Sequence, residues 1–117
     1  MTRINLLIIF FSYIYSYSQP YSINYDEYLE LRKKNKFQLI DVRTNDEFNA
    51  NRLANSINID FYDSIFLEKF EKFNKQDTLL LYCRSGRRSL IGAEILVKNG
   101  FKNIYDLKGG VISIDKS

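Results

Sequence analysis

The sequence contains no histidine and a single cysteine, Cys83. Without histidine, Cys–His and Ser–His catalytic arrangements are excluded, and so are the usual zinc ligand sets. A single cysteine allows no disulfide within the chain. The net charge of +3 is small and the basic residues are scattered, which argues against a nucleic-acid partner. We therefore expect a protein that uses neither a metal nor a cofactor.

Long hydrophobic runs are also missing from the sequence. The longest, at 6–15, is about half of the ~20 residues that a membrane-spanning helix needs. It follows Arg3 and precedes small residues suited to cleavage before Gln19. This layout predicts a secretory signal peptide over 1–18 and an exported domain over 19–117, periplasmic or secreted, without stable membrane insertion. An uncleaved membrane anchor and a strand of the domain itself are the alternatives.

In the rest of the chain, short apolar runs alternate with helical patterns, and neither a repeat nor a linker interrupts them. The apolar runs predict buried strands at 21–23, 37–42, 57–59, 79–82 and 103–107. The intervening patterns predict helices at 25–34 and 45–51, a third starting at Asp60 or Asp63, and a fourth ending at Lys98. This alternation predicts one α/β domain with a central parallel sheet and helices on both faces.

Several side chains mark where these helices begin and end. Asn24 is placed to cap the first helix, and Thr44 with Glu47 has the spacing of a capping box. Asn99-Gly100 has the composition of a helix C-cap, with an apolar residue directly after it. The third helix is predicted from apolar residues at spacings of three and four, namely Ile65, Phe66, Phe70 and Phe73.

The segment from Cys83 to Ser89 joins a buried strand to a helix and carries three arginines, Arg84, Arg87 and Arg88. Cys83 lies at the carboxyl end of its strand, where sites form in parallel sheets. The arginines and the helix N-terminus would stabilise a thiolate there. Gly86 permits a turn in which N–H groups face an anion. Ser85 and Ser89 add hydroxyl donors, and Ser89 is a candidate helix cap.

Such a loop suits a thiolate, the outer sulfur of a persulfide or a bound oxyanion. The alternatives are structural: a cysteine that acts as a small buried apolar residue, and a solvated basic turn. The combination of Cys83, Gly86 and the arginines in one short segment favours a functional site.

Four motifs follow one another along the chain. They are Leu39–Arg43 with Glu47-Phe48, Asn58-Ile59, Cys83–Ser89 and Leu107–Gly110. In this order they resemble the rhodanese-like (sulfurtransferase) domain family, over a core of about 23–110. The Cys83–Ser89 loop is the specific match, while each of the others is weak alone.

The resemblance implies ping-pong sulfur transfer. Cys83 would take the sulfane sulfur of a small anionic donor such as thiosulfate, hold it as a persulfide and pass it to cyanide or a thiol, including a thiol of another protein. The arginines would hold the donor, and the loop amides the outer sulfur. A charged set would tie the second strand and the following helix to the loop: Asp41, Arg43 and Glu47. Exposed ion pairs are the alternative for that set.

The chain departs from the family pattern in two places. Asn51 and Asn55 stand where glycines are usual, and because asparagine tolerates positive φ we expect the turn to survive. Arg52 stands where a histidine is usual. Ile114 lies about where a tryptophan is common, which leaves the packing of the last segment open.

Two other functions are weighed against the transferase. Phosphatases of related fold have five residues between cysteine and arginine, which would place the arginine at position 89, a serine here. The shorter spacing to Arg88 gives a tighter loop that suits sulfur better than a phosphoryl group. A phosphatase or an arsenate reductase is thus the weaker alternative. A non-catalytic module of the same fold is the other alternative. The presence of Cys83 with its arginine-rich loop favours activity over a regulatory module, while a sulfur carrier that passes the persulfide sulfur to a protein partner stays open.

Overall fold

A computed structural model describes residues 18–34 and 36–116 of the chain. The signal peptide predicted over 1–18 lies outside the described residues except for Ser18. Within the described ranges, no helix has the length and apolar character needed to cross a membrane.

Five parallel strands form one sheet in the described part of the chain. They are β1 (Tyr21–Ile23), β2 (Gln38–Asp41), β3 (Ser56–Asn58), β4 (Thr78–Tyr82) and β5 (Asn103–Leu107). Their spatial order is β1-β5-β4-β2-β3. Tyr82 at the end of β4 pairs with Asp41 of β2, and Leu81 pairs with Asp106 of β5. The carboxyl end of β4 therefore lies in the middle of one sheet edge, between two neighbouring strands.

Helices connect these strands and cover the sheet. They are the α-helices α1 (Tyr25–Lys34), α2 (Asn45–Ala50) and α3 (Arg87–Lys98), with short 3-10 helices at Glu68–Phe70 and Val111–Lys116. The predicted α/β architecture, its five strands and these three α-helices are confirmed, with boundary shifts of up to three residues.

The helix caps predicted at Asn24, at Thr44 with Glu47 and at Asn99-Gly100 are present. Thr44 Oγ1 accepts the amide N–H of Glu47, and Glu47 Oε1 accepts the amide N–H of Thr44, both at 3.2 Å. Asn24 Oδ1 accepts the amide N–H of Glu27 at 2.9 Å. After α3, Gly100 has a φ of 93° and the N–H of the residue after it reaches the carbonyl oxygen of Leu96 at 3.1 Å. These bonds satisfy backbone groups that helix ends otherwise leave unpaired.

One predicted helix is wrong. The segment 63–73 forms turns and the 3-10 helix Glu68–Phe70 instead of an α-helix. Most of its backbone hydrogen bonds span three residues, as between the Phe73 amide and the Phe70 carbonyl at 3.0 Å, and the Lys69 amide is shared between the carbonyls of Ile65 and Phe66. The Asp63 carboxylate accepts an amide N–H two residues later at 3.0 Å, which holds the start of the segment in a turn. Apolar spacings of three and four fit both helix types, so the pattern identified the buried face but not the hydrogen bonding.

The core has one apolar cluster on each face of the sheet. Along β4, Leu79 and Leu81 face one cluster and Leu80 and Tyr82 the other. The first cluster contains the buried face of α3 and the buried side chains of the segment 63–73. Its members include Cys83, Phe66, Phe70, Ala93 and Leu96. The second contains Tyr28 of α1. Cys83 thus continues the alternation of β4 and lies on the α3 side of the sheet.

The C-terminal segment packs on the second cluster. Val111 and Ile114 contact its buried residues from the 3-10 helix Val111–Lys116. The packing that the sequence left open is therefore supplied by an aliphatic contact.

Candidate functional site

Cys83 lies directly after β4, and its sulfur is surrounded by the loop that follows. The side chain is fully buried. Sγ accepts the backbone N–H of Gly86 at 3.1 Å and that of Ser89 at 3.4 Å. The Ser89 hydroxyl lies 3.6 Å from the same sulfur. Two N–H donors aimed at one sulfur can stabilise negative charge that develops on it.

Gly86 makes this loop conformation possible. Its φ of 98° lies in the left-handed region, and it is the N-cap residue of α3. A Cβ built on it would lie 2.9 Å from the backbone nitrogen of Gly109, so a larger residue would meet both strain and a clash. The predicted glycine turn is present.

The prediction of Ser89 as the helix cap is wrong. Helix α3 begins at Arg87, and Ser89 lies buried in its first turn. Its hydroxyl donates to the carbonyl oxygen of Gly86 at 3.2 Å. The positive φ of Gly86 starts the helix earlier than a serine cap would. Ser89 consequently faces the sulfur instead of the helix end.

The C-terminal turn holds the loop from the other side. The Val111 amide donates to the Cys83 carbonyl at 3.0 Å, and the Ile112 amide to the Arg84 carbonyl at 3.1 Å. Gly110 has a φ of 61° and passes so close that an added Cβ would lie 2.6 Å from the Cys83 carbonyl oxygen. Only the glycine pair in the closing motif signalled this contact in the sequence.

The three arginines of the loop have different environments. Arg84 and Arg87 are exposed, as is Ser85, while Arg88 is partly buried. Arg88 donates from Nη1 and Nη2 to the two carboxylate oxygens of Glu47, at 2.8 and 3.1 Å. These hydrogen bonds lower the pKa of Glu47 to about 2 and raise the pKa of Arg88. Two exposed cations and one ion-paired cation therefore lie at the loop.

Asp41 and Arg43 form a buried ion pair beside the sheet edge. Asp41 is fully buried and Arg43 is 5% exposed. Arg43 donates to the Asp41 carboxylate from Nε and Nη2, and the pairing raises the pKa of Arg43. Nη2 also reaches the Asn51 carbonyl at 2.7 Å. The exposed-pair interpretation is wrong for these two residues. Among the predicted charged set, Glu47 is the residue that contacts the loop.

The departures at Asn51, Arg52 and Asn55 have separate structural explanations. Asn55 adopts a φ of 65°, as expected for a residue in place of glycine. Asn51 is extended, with a φ of −165°, so the expectation of positive φ there is wrong. The Arg52 guanidinium lies 4.3 Å from the centroid of the Phe48 ring, a cation–π contact.

Two residues near the loop or its sheet were missed by the sequence interpretation. Tyr62 is 64% exposed and its ring centroid lies 5.8 Å from the Arg88 guanidinium carbon. Asp106 is buried in β5, and burial raises its pKa to about 6. In the sequence, Tyr62 is an aromatic residue in a polar turn and Asp106 is a carboxylate in an apolar strand. Neither pattern indicates which residues lie next to them in the folded protein.

The arrangement brings a sulfur nucleophile, two amides that face it, one ion-paired cation and two exposed cations to the centre of one sheet edge. It can stabilise negative charge on sulfur and attract an anionic reactant. In the described ranges, no three Cys, Asp or Glu side chains are grouped so that they could hold a metal ion.

Comparisons with known proteins agree with this geometry. The family model described as rhodanese-like domain matches residues 24–116. Thiosulfate sulfurtransferase GlpE of Coxiella burnetii is 35% identical over 88 residues, which are 75% of this chain and 80% of that protein.

Solved structures are similar as well. A rhodanese-related protein from Thermoplasma volcanium has a TM-score of 0.70 at 32% identity, covering 83% of this chain and 93% of that one. A rhodanese-like domain protein from Staphylococcus aureus has a TM-score of 0.70 at 28% identity, covering 80% and 89%. Since the family model spans most of the chain and both structures share its architecture, the chain belongs to the rhodanese-like domain family.

Proposed function

We propose that this protein is a sulfurtransferase that carries a sulfane sulfur on Cys83 between a thiosulfate-like donor and a thiophilic acceptor. The observation that carries the proposal is the pair of backbone amides, from Gly86 and Ser89, that donate to Sγ at 3.1 and 3.4 Å. The similarity to a protein named thiosulfate sulfurtransferase supports the same activity.

In the first half-reaction, the Cys83 thiolate attacks the outer sulfur of thiosulfate. The S–S bond of thiosulfate breaks, sulfite leaves with the electron pair, and a persulfide remains on Sγ. Exposed Arg84 and Arg87 hold the oxygens of the donor. Because Cys83 is fully buried, a donor whose outer sulfur is narrow is favoured over one that is bulky at the reacting atom.

In the second half-reaction, cyanide or a thiolate attacks the outer sulfur of the persulfide. The Cys–S bond to the outer sulfur breaks, and the Cys83 thiolate is regenerated. With thiosulfate and cyanide neither step transfers a proton. A chain without histidine is therefore suited to this chemistry, since no general acid or base is needed.

The ion pair of Arg88 disfavours the phosphatase alternative. A phosphatase loop needs a guanidinium that turns inward onto the phosphoryl oxygens. Arg88 is instead bound on both terminal nitrogens by Glu47. We assign it the role of a fixed charge that stabilises the thiolate from the start of α3.

We further propose that the protein is exported, on the strength of the charged, apolar and small-residue order of 1–18. It would then act outside the cytoplasm on small molecules, or on a protein thiol that is also exported. A mass consistent with a chain beginning at Gln19 in the exported fraction would support this, and a full-length chain found only in the cytoplasm would contradict it.

The activity is tested by thiocyanate formation from thiosulfate and cyanide. We expect turnover by the wild-type protein and a loss of at least about a thousandfold in Cys83→Ser, because the nucleophile is removed. Tyr21→Ala, on exposed edge strand β1, serves as the control variant, because it keeps the whole loop with Sγ and its amide donors. Persulfide formation without cyanide turnover would identify a dedicated carrier, and equal turnover by Cys83→Ser would contradict the proposal.

A further inference from the structure

The edge of the sheet opposite Cys83 is rich in exposed cations. Because the sheet is parallel, the segments that lead into its strands all meet at that edge. Lys33 in one of these segments is paired with Glu30. Six further exposed cations lie in the segments 32–37, 74–77 and 98–102, which contain one carboxylate, that of Asp77: Arg32, Lys34, Lys36, Lys75, Lys98 and Lys102. We propose that this surface, the basic edge, binds the anionic headgroups of a phospholipid membrane.

Contacts between these segments place the cations on one surface. Lys75 Nζ donates to the carbonyl oxygen of Asn99 at 2.9 Å, and the Lys102 amide donates to the Lys75 carbonyl oxygen at 2.9 Å. These bonds join the segment before β4 to the end of α3. On the other side of β4, one cleft is lined by Arg32 and Lys36, and a second lies between Lys36 and the start of β4. Segments that are distant in sequence therefore form a continuous basic edge.

Stabilisation of helix ends explains only part of the basic edge. Cations in the last turns of α1 and α3 complement the helix dipole, and Lys75 binds a carbonyl oxygen at the end of α3. Lys36 and Lys102 are exposed and lie outside the helices, so no helix end requires them. The net charge of the whole chain is only +3, so the rest of the chain is net negative. The fold thus concentrates positive charge at this edge.

The path of the chain favours a membrane as the partner of the basic edge. Strand β1 begins at Tyr21, and its amino end lies at the same edge as those of the other strands. Ser18 is exposed and precedes Tyr21 by three residues, which span at most about 11 Å. The apolar run 6–15 comes shortly before Ser18 in the sequence. A signal peptide and an uncleaved anchor would both bring the chain to a membrane beside the basic edge, where clustered cations bind anionic lipid.

Membrane binding at the basic edge would leave the loop at Cys83 in the aqueous phase. The loop and the basic edge lie at opposite ends of the strands. Strand β4 has five residues, which corresponds to about 16 Å. This distance exceeds the Debye length of about 8 Å at physiological salt, so the membrane charge would not repel an anionic donor from the loop. Membrane binding is thus independent of the proposed sulfurtransferase activity.

Flotation of the full chain with lipid vesicles tests the proposal. The vesicles contain phosphatidylcholine alone or phosphatidylcholine and phosphatidylglycerol in equal parts, and the wild type should bind the anionic vesicles more tightly. Removal of two cations by Lys36→Gln with Lys102→Gln should weaken binding to the anionic vesicles by about thirtyfold, since each lysine near an anionic surface contributes about fivefold. Binding to the neutral vesicles, to which the apolar run contributes equally in both proteins, should change by less than about twofold.

A second double variant, Arg52→Gln with Lys108→Gln, is the matched control. It removes the same charge from two exposed residues away from the basic edge. Lys108 directly follows β5, and Arg52 lines a cleft with Ile112 of the turn that holds the loop. Binding of this variant to the anionic vesicles should stay within about twofold of the wild type. Cooperative urea unfolding of both double variants shows that they fold.

Three results would overturn the basic edge as a membrane surface. Equal losses in the two double variants would show that net charge alone drives binding. Equal binding of the wild type to both kinds of vesicle would show that the headgroups are not contacted. Tighter binding to a random-sequence RNA than to anionic vesicles at the same phosphate concentration, lost in Lys36→Gln with Lys102→Gln, would assign the surface to nucleic acid.

Turnover of thiosulfate and cyanide on the anionic vesicles tests the orientation separately. We expect kcat/KM to stay within about twofold of its value in solution, because the loop lies beyond the Debye length. A fall of tenfold or more on the vesicles would place the loop against the membrane and contradict the basic edge as the bound surface. Intact vesicle binding without turnover in solution would overturn the sulfurtransferase proposal alone.

Discussion

The sulfur of Cys83 receives its hydrogen bonds from backbone amides, whereas the arginine side chains of the loop lie elsewhere. Arg84 and Arg87 extend into solvent, and Arg88 is bound by Glu47. Backbone amides are held by the fold and need no side-chain ordering when the reactant arrives. The stabilisation of the thiolate and the capture of the donor are therefore assigned to different groups, the amides and the exposed arginines respectively.

Asp106 is the residue whose environment is least favourable to its charge. It lies in β5 and is 1% exposed. Its Oδ1 has no hydrogen-bond partner among the described residues. A hydrogen bond between the carboxyl group and Ser22 lowers the pKa of Asp106, but less than burial raises it. Burial raises the pKa to about 6, and the charge of Glu94 on α3 adds to the shift. The folded protein therefore holds this proton more tightly than the unfolded chain does.

We expect Asp106→Asn to stabilise the protein above pH 6. In the unfolded chain this carboxyl ionises near about pH 4, so the wild type loses stability as the pH rises from about 4 through 6. The variant lacks this loss. Its free energy of unfolding should exceed that of the wild type by about 2 kcal/mol at pH 8, with little difference at about pH 4. Urea unfolding at the two pH values measures this.

A second variant checks the cause of the Asp106 shift. Glu94→Gln removes the nearby like charge, so the pH range over which the wild type loses stability should move downward. A gain in Asp106→Asn of equal size at both pH values would instead indicate improved packing and would contradict the electrostatic account.

At the scale of elements, the Glu47–Arg88 pair connects two helices. Glu47 completes the capping box of α2, and Arg88 belongs to the first turn of α3. The pair thereby links the segment after β2 to the loop at Cys83. Its geometry is bidentate, which fixes the direction of the guanidinium as well as its position.

We expect Glu47→Gln to lower the free energy of unfolding by about 1 kcal/mol at pH 7, since the pair is partly exposed. Glutamine can keep the capping hydrogen bonds, so the variant isolates the charge. The pKa of Glu47 is about 2 in the folded protein, below its unfolded value. The stability that the ionised Glu47 carboxylate contributes is therefore present above about pH 4.5 and is lost as the pH falls toward 2.

Urea unfolding between pH 7 and pH 2 measures the difference between the wild type and Glu47→Gln, which should shrink with acid. Thr44→Ala is the control that removes a capping bond and keeps the ion pair, so its effect should depend less on pH. A difference between Glu47→Gln and the wild type that stays constant down to pH 2 would exclude the ion pair as its source.

Across the whole molecule, the loop at Cys83 is held by parts of the chain that are distant in sequence. Strand β4 runs through the centre of the sheet and has a buried cluster on each face. Helix α2 reaches the loop through Glu47, and the C-terminal turn reaches it through the amides of Val111 and Ile112. Gly110 allows that turn to approach closely. The scaffold therefore fixes the backbone of the loop on several sides.

The strands, the capping box of Thr44 and Glu47, and the loop were predictable because each depends on neighbouring residues. Alternating burial along β4 and the Thr44–Glu47 spacing are local patterns of this kind. The aromatic segment at 63–73 was not predictable as a 3-10 helix, because apolar spacing reports the buried face and not the hydrogen bonds. The contact of Tyr62 with Arg88 depends on tertiary packing, to which a single sequence gives no access.

Ser89 and Asn51 show the same limit for single positions. A serine before a helical pattern is typical of a cap, but the left-handed Gly86 starts α3 earlier and turns Ser89 toward the sulfur. Asparagine in place of glycine suggested a positive φ at both Asn51 and Asn55. The φ of Asn55 is positive, whereas Asn51 is extended. Residue type defined the permitted conformations, and the surrounding structure selected among them.

The central claim is that Cys83 carries the transferred sulfur, and intact-mass spectrometry after incubation with thiosulfate tests it most directly. Because Cys83 is the only cysteine of the chain, a persulfide has one possible site. The account predicts that the wild type gains the mass of one sulfur atom and loses it on addition of cyanide, and that Cys83→Ser gains nothing. A wild-type protein that forms thiocyanate without any such adduct, or an equal adduct on Cys83→Ser, would contradict it.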